Sequence, residues 1–439
     1  MKEISGWGRH PVVRAEEREA EDLESASAGA ALSRGLGRSY GDASLPARGG
    51  VALCTRRADR ILSFDAVSGV LRAEAGLSLR ALNEVFPARG WAAPVSPGTQ
   101  YVTLGGMVAS DVHGKNHHVA GCFGEYVRAL RMRVGDGRVL ELDEATEPEL
   151  FRATLGGMGL TGHILEVEVQ LERIPSFWIR GRSERVSDLD ELLAVLRAAS
   201  ARSPFAAAWV DTTARGAALG RGIVTSGRYA DAHEAPSSPP ELRERFAVPF
   251  DLPGWFVDTW SIRAFNLLYF HAYRVKPVEH LIHPQPFFYP LDSVRDWNRL
   301  YGRRGMVQYQ CVIPEHADPA TFRRLLEVVS RMGGASPVSV IKDCGPEGRG
   351  MISFPMAGMS LALDLPYRAG RTETLVDALN EIVVTARGRI YLTKDALTRR
   401  DHFAAMEPRL ARWNDVRRKW DPERRVSSAL AQRLLDPAP

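Results

Sequence analysis

Ten residues, Ser33 to Asp42, read Ser-Arg-Gly-Leu-Gly-Arg-Ser-Tyr-Gly-Asp. Gly35, Gly37 and Gly41 fall within seven positions, with Arg34, Leu36, Arg38, Ser39 and Tyr40 beside them. Glycine has no Cβ to hold a ligand away from the main chain and reaches positive φ freely. A run of backbone N–H groups freed in this way makes a concave anion site, with pyrophosphate the usual guest. The spacing G-x-G-x-x-x-G is not the dinucleotide fingerprint, and no Gly-Lys-Ser/Thr follows to make a P-loop. A plain tight turn satisfies the same glycines. A second dense stretch runs from Thr103 to His118. Gly105 and Gly106 allow another close backbone approach, and His113, Lys115, Asn116, His117 and His118 follow within six residues. No acidic or cysteine set completes a zinc spacing. The block therefore reads as a loop wall facing a polar ligand, and no metal is expected.

Elements must hold these stretches in place. Residues 15–32 alternate charge with alanine and predict a surface helix ahead of the glycine loop. Short strands are predicted over Val51–Thr55, Ile61–Phe64 and Val70–Ala75. Ser78 can cap a helix that places Leu79, Leu82, Val85 and Phe86 on one face. Tyr126–Leu142 reads as a hairpin turning at Asp136-Gly137. Pro148 opens a short helix, and Leu165 to Leu171 alternate apolar and polar as a half-buried strand. Pro175 marks a domain boundary. Beyond it, a helix over Leu189–Ala199 and a strand over Ala206–Asp211 are predicted. Residues 231–262 carry Pro236, Pro239, Pro240, Pro249 and Pro253, which break regular structure. Trp255, Phe256 and Trp260 then sit in a loop, either folded back beneath it or serving as a lid over an apolar substrate tail. Gly305–Pro314 predicts a strand with Gln308 and Gln310 on one face and Val307, Tyr309 and Cys311 on the other. A helix over Asp318–Met332, strands over Val338–Ile341 and Ser360–Asp364, and a helix over Thr372–Thr385 complete the pattern.

The chain has 439 residues, 45% hydrophobic and 25% charged, which describes a globular protein of roughly two or three domains. Its net charge of +4 is too mild and dispersed for a nucleic-acid partner. It suits an anionic small substrate or an anionic membrane surface without demanding either. Cys54, Cys122, Cys311 and Cys344 have no metal or redox spacing and read as buried free thiols in a reducing compartment. No secretory apolar region and no membrane-spanning run is evident. A cytoplasmic protein is expected, with peripheral membrane contact at the inner face left open.

Taken together, the chain resembles the vanillyl-alcohol-oxidase-type flavoproteins. The residues carrying this are Gly6-Trp7-Gly8-Arg9, Arg34–Asp42, Pro97-Gly98-Thr99, Gly105-Gly106, His113–His118, Gly159–Gly162, Gln308-Tyr309-Gln310, Tyr391 with Lys394-Asp395, and Arg417–Pro422. The resemblance implies a two-domain α+β fold. Its FAD-binding domain would be discontinuous, residues 1–175 completed by 390–439, around an antiparallel-sheet substrate domain of residues 176–389. It implies that Arg34, Gly35, Leu36, Gly37, Arg38, Ser39, Tyr40, Gly41 and Asp42 cradle the FAD pyrophosphate. Gly98, Thr103, Leu104, Gly105, Gly106, Ser110, Asp111, His113 and Ile164 would complete the cofactor site, with Tyr391 reaching it from the C-terminal segment. Some relatives attach flavin through a histidine in the first glycine loop. None stands there in this chain, so FAD is expected to be held without a covalent link. Ala362 and Ser360 stand where close relatives carry cysteine and asparagine.

The resemblance also implies an activity: oxidation of a secondary alcohol of a polyprenyl-phospho-pentose, ribose C2′ to a 2′-keto group, by hydride transfer to flavin N5. A separate nicotinamide-dependent reductase would complete an epimerisation. The catalytic candidates are Lys394 and His113. Burial would lower the Lys394 pKa and let a neutral amine act as base, while a charged one would stabilise an alkoxide. Substrate candidates are Tyr289, Gln308, Gln310, Lys342 and Lys394, with Lys342 meeting a phosphate. Two alternatives use the same fold: an aldonolactone or sugar-alcohol oxidase acting on a soluble substrate, and a flavin-binding protein without turnover.

Overall fold

The computed structural model describes residues 1–47, 49–238, 240–244, 246–273 and 278–436; Pro239 lies outside the described residues. Three sheets carry the fold, with helices packed on them, an α+β arrangement. The first sheet joins β1 (Lys2–Ser5), β2 (Val12–Glu19), β3 (Leu32–Arg34) and β4 (Val51–Cys54) in the order β1-β2-β4-β3. β2 and β3 both run parallel to β4. The helix expected over residues 15–32 is therefore broken up, its first five residues belonging to strand β2. β2 has partners on both sides, and ladder bonds to β1 and β4 outweigh the helical preference of its Ala/Glu/Arg composition. Only Leu23–Ser27 is helical, capped where Asp22 accepts from the Ser25 backbone N–H at 3.1 Å.

The second sheet is antiparallel. It orders β5 (Ile61–Phe64), β6 (Val70–Glu74), β7 (Val127–Val134), β8 (Val139–Leu142) and β9 (Gly162–Gln170) as β5-β6-β9-β7-β8. The hairpin and half-buried strand read from the sequence are β7–β8 and β9. The helix α1 (Leu79–Val85) starts where Ser78 Oγ accepts from the Ala81 N–H at 3.1 Å, and it buries Leu79 and Leu82. The stretch after Thr103, expected as a loop wall, opens with a helix, α2 (Leu104–Ala109). Thr103 Oγ1 caps it by accepting from Gly106 N–H at 3.2 Å.

The third sheet has eight antiparallel strands: β10 (Ile179–Val186), β11 (Phe205–Val210), β12 (Gly222–Tyr229), β13 (His280–Ile282), β14 (Met306–Pro314), β15 (Ser339–Cys344), β16 (Gly358–Pro366) and β17 (Arg389–Ile390). Their order is β13-β10-β12-β11-β15-β16-β14-β17. Strand alternation gives it two faces. One face puts Ala208, Val224, Tyr309, Cys311, Ile341, Leu361 and Leu363 into the main core, with helices at Leu189–Ser200, Thr321–Arg331 and Arg371–Thr385. The other face carries Gln308, Gln310, Val340, Ala362 and Asp364. The register sets Gln310 opposite Ala362, and Ala362 opposite Val340.

The segment 231–262 departs from expectation in its second half. After the proline-interrupted stretch, α3 (Thr259–Ala272) begins with a capping box between Asp258 and Ser261. It is fastened by Asn266, whose amide donates to Asp211 Oδ1 at 2.8 Å. Trp260 thus lies on a helix anchored to the sheet. Trp255 and Trp260 are 71% and 76% exposed, so these rings are not folded back beneath the chain. No helix among the described residues is long and apolar enough to cross a membrane.

Candidate active site

A cleft runs between the first two sheets and the polar face of the third, lined by the glycine loop, α2, β9 and the segment after β17. The glycine loop forms one end. Gly37 has φ 64°, a conformation glycine adopts without strain. A Cβ on Gly35 would lie 2.4 Å from Thr103 Oγ1, so this glycine lets the loop rest on the oxygen that caps α2. Among the described residues, the backbone N–H groups of Leu36, Gly37, Arg38 and Ser39 find no acceptor within the chain. The Arg38 guanidinium lies 3.7 Å from the Trp7 ring centroid, and its buried Nε has no partner. A Cβ on Gly98 would meet only open space. A row of free N–H donors, an unpaired guanidinium nitrogen and room above the backbone fit an extended phosphate-containing cofactor.

The cleft brings together Gly35, Leu36, Gly37, Arg38, Ser39, Tyr40, Gly98, Thr103, Gly105, Gly106, Ser110, His113, Ile164, Gln308, Gln310, Lys342, Tyr391 and Lys394. Six other candidates stand behind it. Arg34 donates to Ser44 O at 3.0 Å and Ser5 O at 2.7 Å, bracing the loop from outside. Gly41 packs on the Asp395 carbonyl. Asp42 accepts two bonds from Arg433 at 2.8 Å each. Leu104 lies in the main core. Asp111 accepts from Gly124 N–H at 2.8 Å and from the Ser353 hydroxyl. Tyr289 is fully buried, its hydroxyl bonded to Asn83 at 3.0 Å and Ser96 at 2.5 Å. These six tie the site's elements to one another and do not reach the cleft.

The same cleft holds a set of titratable groups. Lys394 Nζ lies 4.0 Å from the Tyr40 ring centroid. Asp364 accepts from the Gln308 amide through Oδ1, and its buried Oδ2 has no hydrogen-bond partner. Burial pulls the Lys394 ammonium well below the ordinary lysine range, opposed by the Asp364 charge and reinforced by Lys342. Burial pushes the Asp364 carboxyl up. His113 sits beside Tyr391, ring centroids 4.9 Å apart, and the Gln310 amide donates to its Nε2 at 2.9 Å. Burial and then the Lys342 charge hold the ring neutral. Its proton therefore sits on Nδ1, a buried atom with no partner. Lys342 is drawn down by burial, and Lys115 is drawn down to about 7 by burial and then Lys342. The histidine block does not converge: His117 Nδ1 accepts from Gly345 N–H at 3.0 Å, and His118 meets Ser203 O at 3.0 Å.

Sequence reasoning overlooked Asp292, Ser96 and Thr393, which line this cleft, and Asp364, which borders it beside Gln308. Asp364 is the one charged residue of its strand, where the carboxylate's isolation was the available signal. Asp292 follows Pro290-Leu291 with no motif around it. It accepts from Gln100 N–H at 2.8 Å, and burial raises it to about 6.

Residues 25–143 match the FAD binding domain family. Over 99% of this chain and 97% of the relative, the sequence is 33% identical to decaprenylphosphoryl-beta-D-ribose oxidase of Mycolicibacterium smegmatis. It is 35% identical to an uncharacterised protein of Streptomyces coelicolor, covering 82% of this chain and all of that one. A shorter match, 26% identical over 38% of this chain and 33% of the relative, is to D-arabinono-1,4-lactone oxidase of Eremothecium gossypii. FAD is the cofactor that the free N–H row, Arg38 and the open floor at Gly98 fit.

Proposed function

This chain belongs to the family of FAD-dependent oxidoreductases that includes decaprenylphosphoryl-beta-D-ribose oxidase, and from that premise we propose that it oxidises a secondary alcohol of a polyprenyl-phospho-pentose, ribose C2′ to the 2′-keto sugar. The observation that carries the reading is the cleft's charge pattern: beside Lys394, the basic groups Lys342, Lys115 and Arg38 line it, against Asp292 as the one lining carboxylate among the described residues and Asp364 bordering it beside Gln308. Such a surplus of cations suits a substrate bearing a phosphodiester. An aldonolactone has no anion for Lys342 and Lys115 to meet.

FAD supplies the acceptor for the hydride that leaves the sugar carbon. The chain's own residues handle the proton. Lys394, neutral through burial, takes the hydroxyl proton, and the neighbouring Asp364 compensates the ammonium that results. His113 offers its free Nδ1–H to an oxygen in the cleft, held in that tautomer by Gln310. Gln308 orients Asp364, so in this arrangement both glutamines position other side chains. In this reading residues 1–175 and 390–439 hold the cofactor and residues 176–389 cover it. The 2′-keto product requires a nicotinamide-dependent reductase to complete an epimerisation, and the enzyme works in the cytoplasm at the face of the membrane that stores its lipid.

Anaerobic addition of a polyprenyl-phospho-ribose to the holoenzyme should bleach the flavin absorbance, while lactones and free sugar alcohols leave it unchanged. Bleaching by a lactone and not by the phospholipid sugar would replace this reading with the aldonolactone oxidase. No bleaching by any member of the series would favour a flavin-binding protein without turnover.

A further inference from the structure

The same face of the third sheet continues beyond the cleft. From Gln310 the register runs to Ala362, Val340, Trp209 and Ile223 in one row across β14, β16, β15, β11 and β12. Opposed residues in a sheet point to the same side. The row therefore begins with an amide beside His113 and ends in apolar side chains. Over its apolar end lies a second cavity of about 730 Å³, a size that holds a small ligand. It shares Lys115, Pro290, Leu291, Val338 and Val340 with the cleft, so the two spaces adjoin along a common wall. Lys115 stands at that wall, its carbonyl bonded to Ala206 N–H at 2.9 Å at the start of β11. Apart from Lys115, no Asp, Glu, Lys or Arg among the described residues lines the second cavity. Phe265, Tyr269 and Ala272 of α3 line it from the side opposite the sheet.

We propose, building on the reading of the cleft as a phospho-pentose site, that this second cavity receives the first isoprene units of the substrate's prenyl chain, with Lys115 and Lys342 meeting the phosphate at the junction. The order of surfaces matches the order of groups in such a molecule: hydrogen-bonding and titratable side chains, then cations, then an apolar chamber. The sugar can reach Lys394 only if the hydrocarbon attached to it leaves water, and the adjoining cavity supplies apolar walls for that transfer. Ala207 marks the chamber's sheet wall. It is buried opposite Thr225, which also lines the cavity. A larger side chain at 207 would occupy the space without touching the cleft.

The test uses β-D-ribosyl phosphodiesters carrying a methyl, geranyl or farnesyl group, below their aggregation concentrations, with anaerobic flavin reduction as readout. In the parent enzyme the apparent Kd should fall at least tenfold from methyl to farnesyl. Ala207→Phe should abolish that gain and leave the methyl ester's reduction unchanged, with Ala207→Leu intermediate and FAD content constant in both. Equal affinity for all three esters in the parent enzyme, or a length dependence that both variants retain, would overturn the proposal while sparing the ribose reading. Absence of bleaching with every ester would overturn the ribose reading and this inference together.

Discussion

In the proposed reaction Lys394 is the residue on which the chemistry turns. Its Nζ touches the glycine loop only at the Tyr40 ring, and the free backbone N–H row of Leu36–Ser39 proposed to hold FAD does not depend on it. Lys394→Ala should keep FAD and fold yet slow flavin reduction by about 10²–10⁴-fold, the usual range for removing a general base. The pH profile gives the second check. Burial lowers this lysine from 10.5, so the amine is neutral, and able to accept a proton, at pH values where an exposed lysine is still charged. Flavin reduction should therefore fall on acidification through the depressed pKa, about tenfold per pH unit, and Lys394→Ala should erase that limb. A limb unchanged in the variant would assign it to another group. The flavin itself should be released on acid precipitation, leaving a yellow supernatant. Among the described residues lining the cleft the one histidine is His113, already bonded to Gln310, and no cysteine lines it. Colour retained in the washed pellet would mean a covalent link. At this scale the sequence exposed the types but not the roles. The glycines and the Gln308/Gln310 parity were readable from spacing. That Arg34, Asp42 and Tyr289 face away from the cleft depends on distant partners, Ser5, Arg433 and Asn83, which no local pattern announces.

Elements with strong periodicity or caps were legible: α1 from Ser78 and its apolar spacing, the β7–β8 hairpin from Asp136-Gly137, and β9 from its alternation. Two were not. β2 owes its extended form to neighbours on both sides, and α2 is a short helix whose two glycines argue against helix but of which Gly105 permits close contact with Ala75. α3 was hidden behind the prolines that precede it. Its outward side carries Trp260 and Leu268, beside Trp255 and Phe256 from the connection before it, all exposed. Exposed aromatic and apolar groups of this kind suit the headgroup region of a bilayer, and we propose that they meet one. Replacing Trp255, Phe256 and Trp260 together with serine should cut activity on lipid substrate presented in vesicles at least tenfold. FAD content and activity on a short-chain ester should stay unchanged. An equal loss on both substrates would show that the rings serve folding.

Across the whole molecule, the glycine loop is completed by residues almost four hundred positions away. Arg433 holds both oxygens of Asp42 and pairs with Asp395 at 2.8 Å, and it donates to Thr398 O at 2.6 Å. Both carboxylates are buried. Removing the guanidinium leaves them facing each other without a counter-charge, so Arg433→Met should cost about 3–5 kcal/mol of stability. Thermal unfolding of the variant with FAD in excess should show a lowered Tm. FAD should also dissociate more readily, because Asp42 ends the loop proposed to hold it. An unchanged Tm would mean that the segment is held by its apolar contacts alone. The return of the C-terminal segment to the loop was anticipated only through family resemblance, because composition and periodicity carry no record of which distant elements meet.

The stack of Arg38 on Trp7 has an optical consequence. Trp7 packs edge-to-face on Trp297 with centroids 5.8 Å apart, and both indoles line the cleft. Flavin absorbs where indole emits, so a cofactor in this cleft drains excited-state energy from the pair. Tryptophan fluorescence should brighten as FAD is stripped and dim as it is restored, and Trp7→Phe should shrink that change. The enzyme thereby carries its own gauge of cofactor occupancy, readable without substrate.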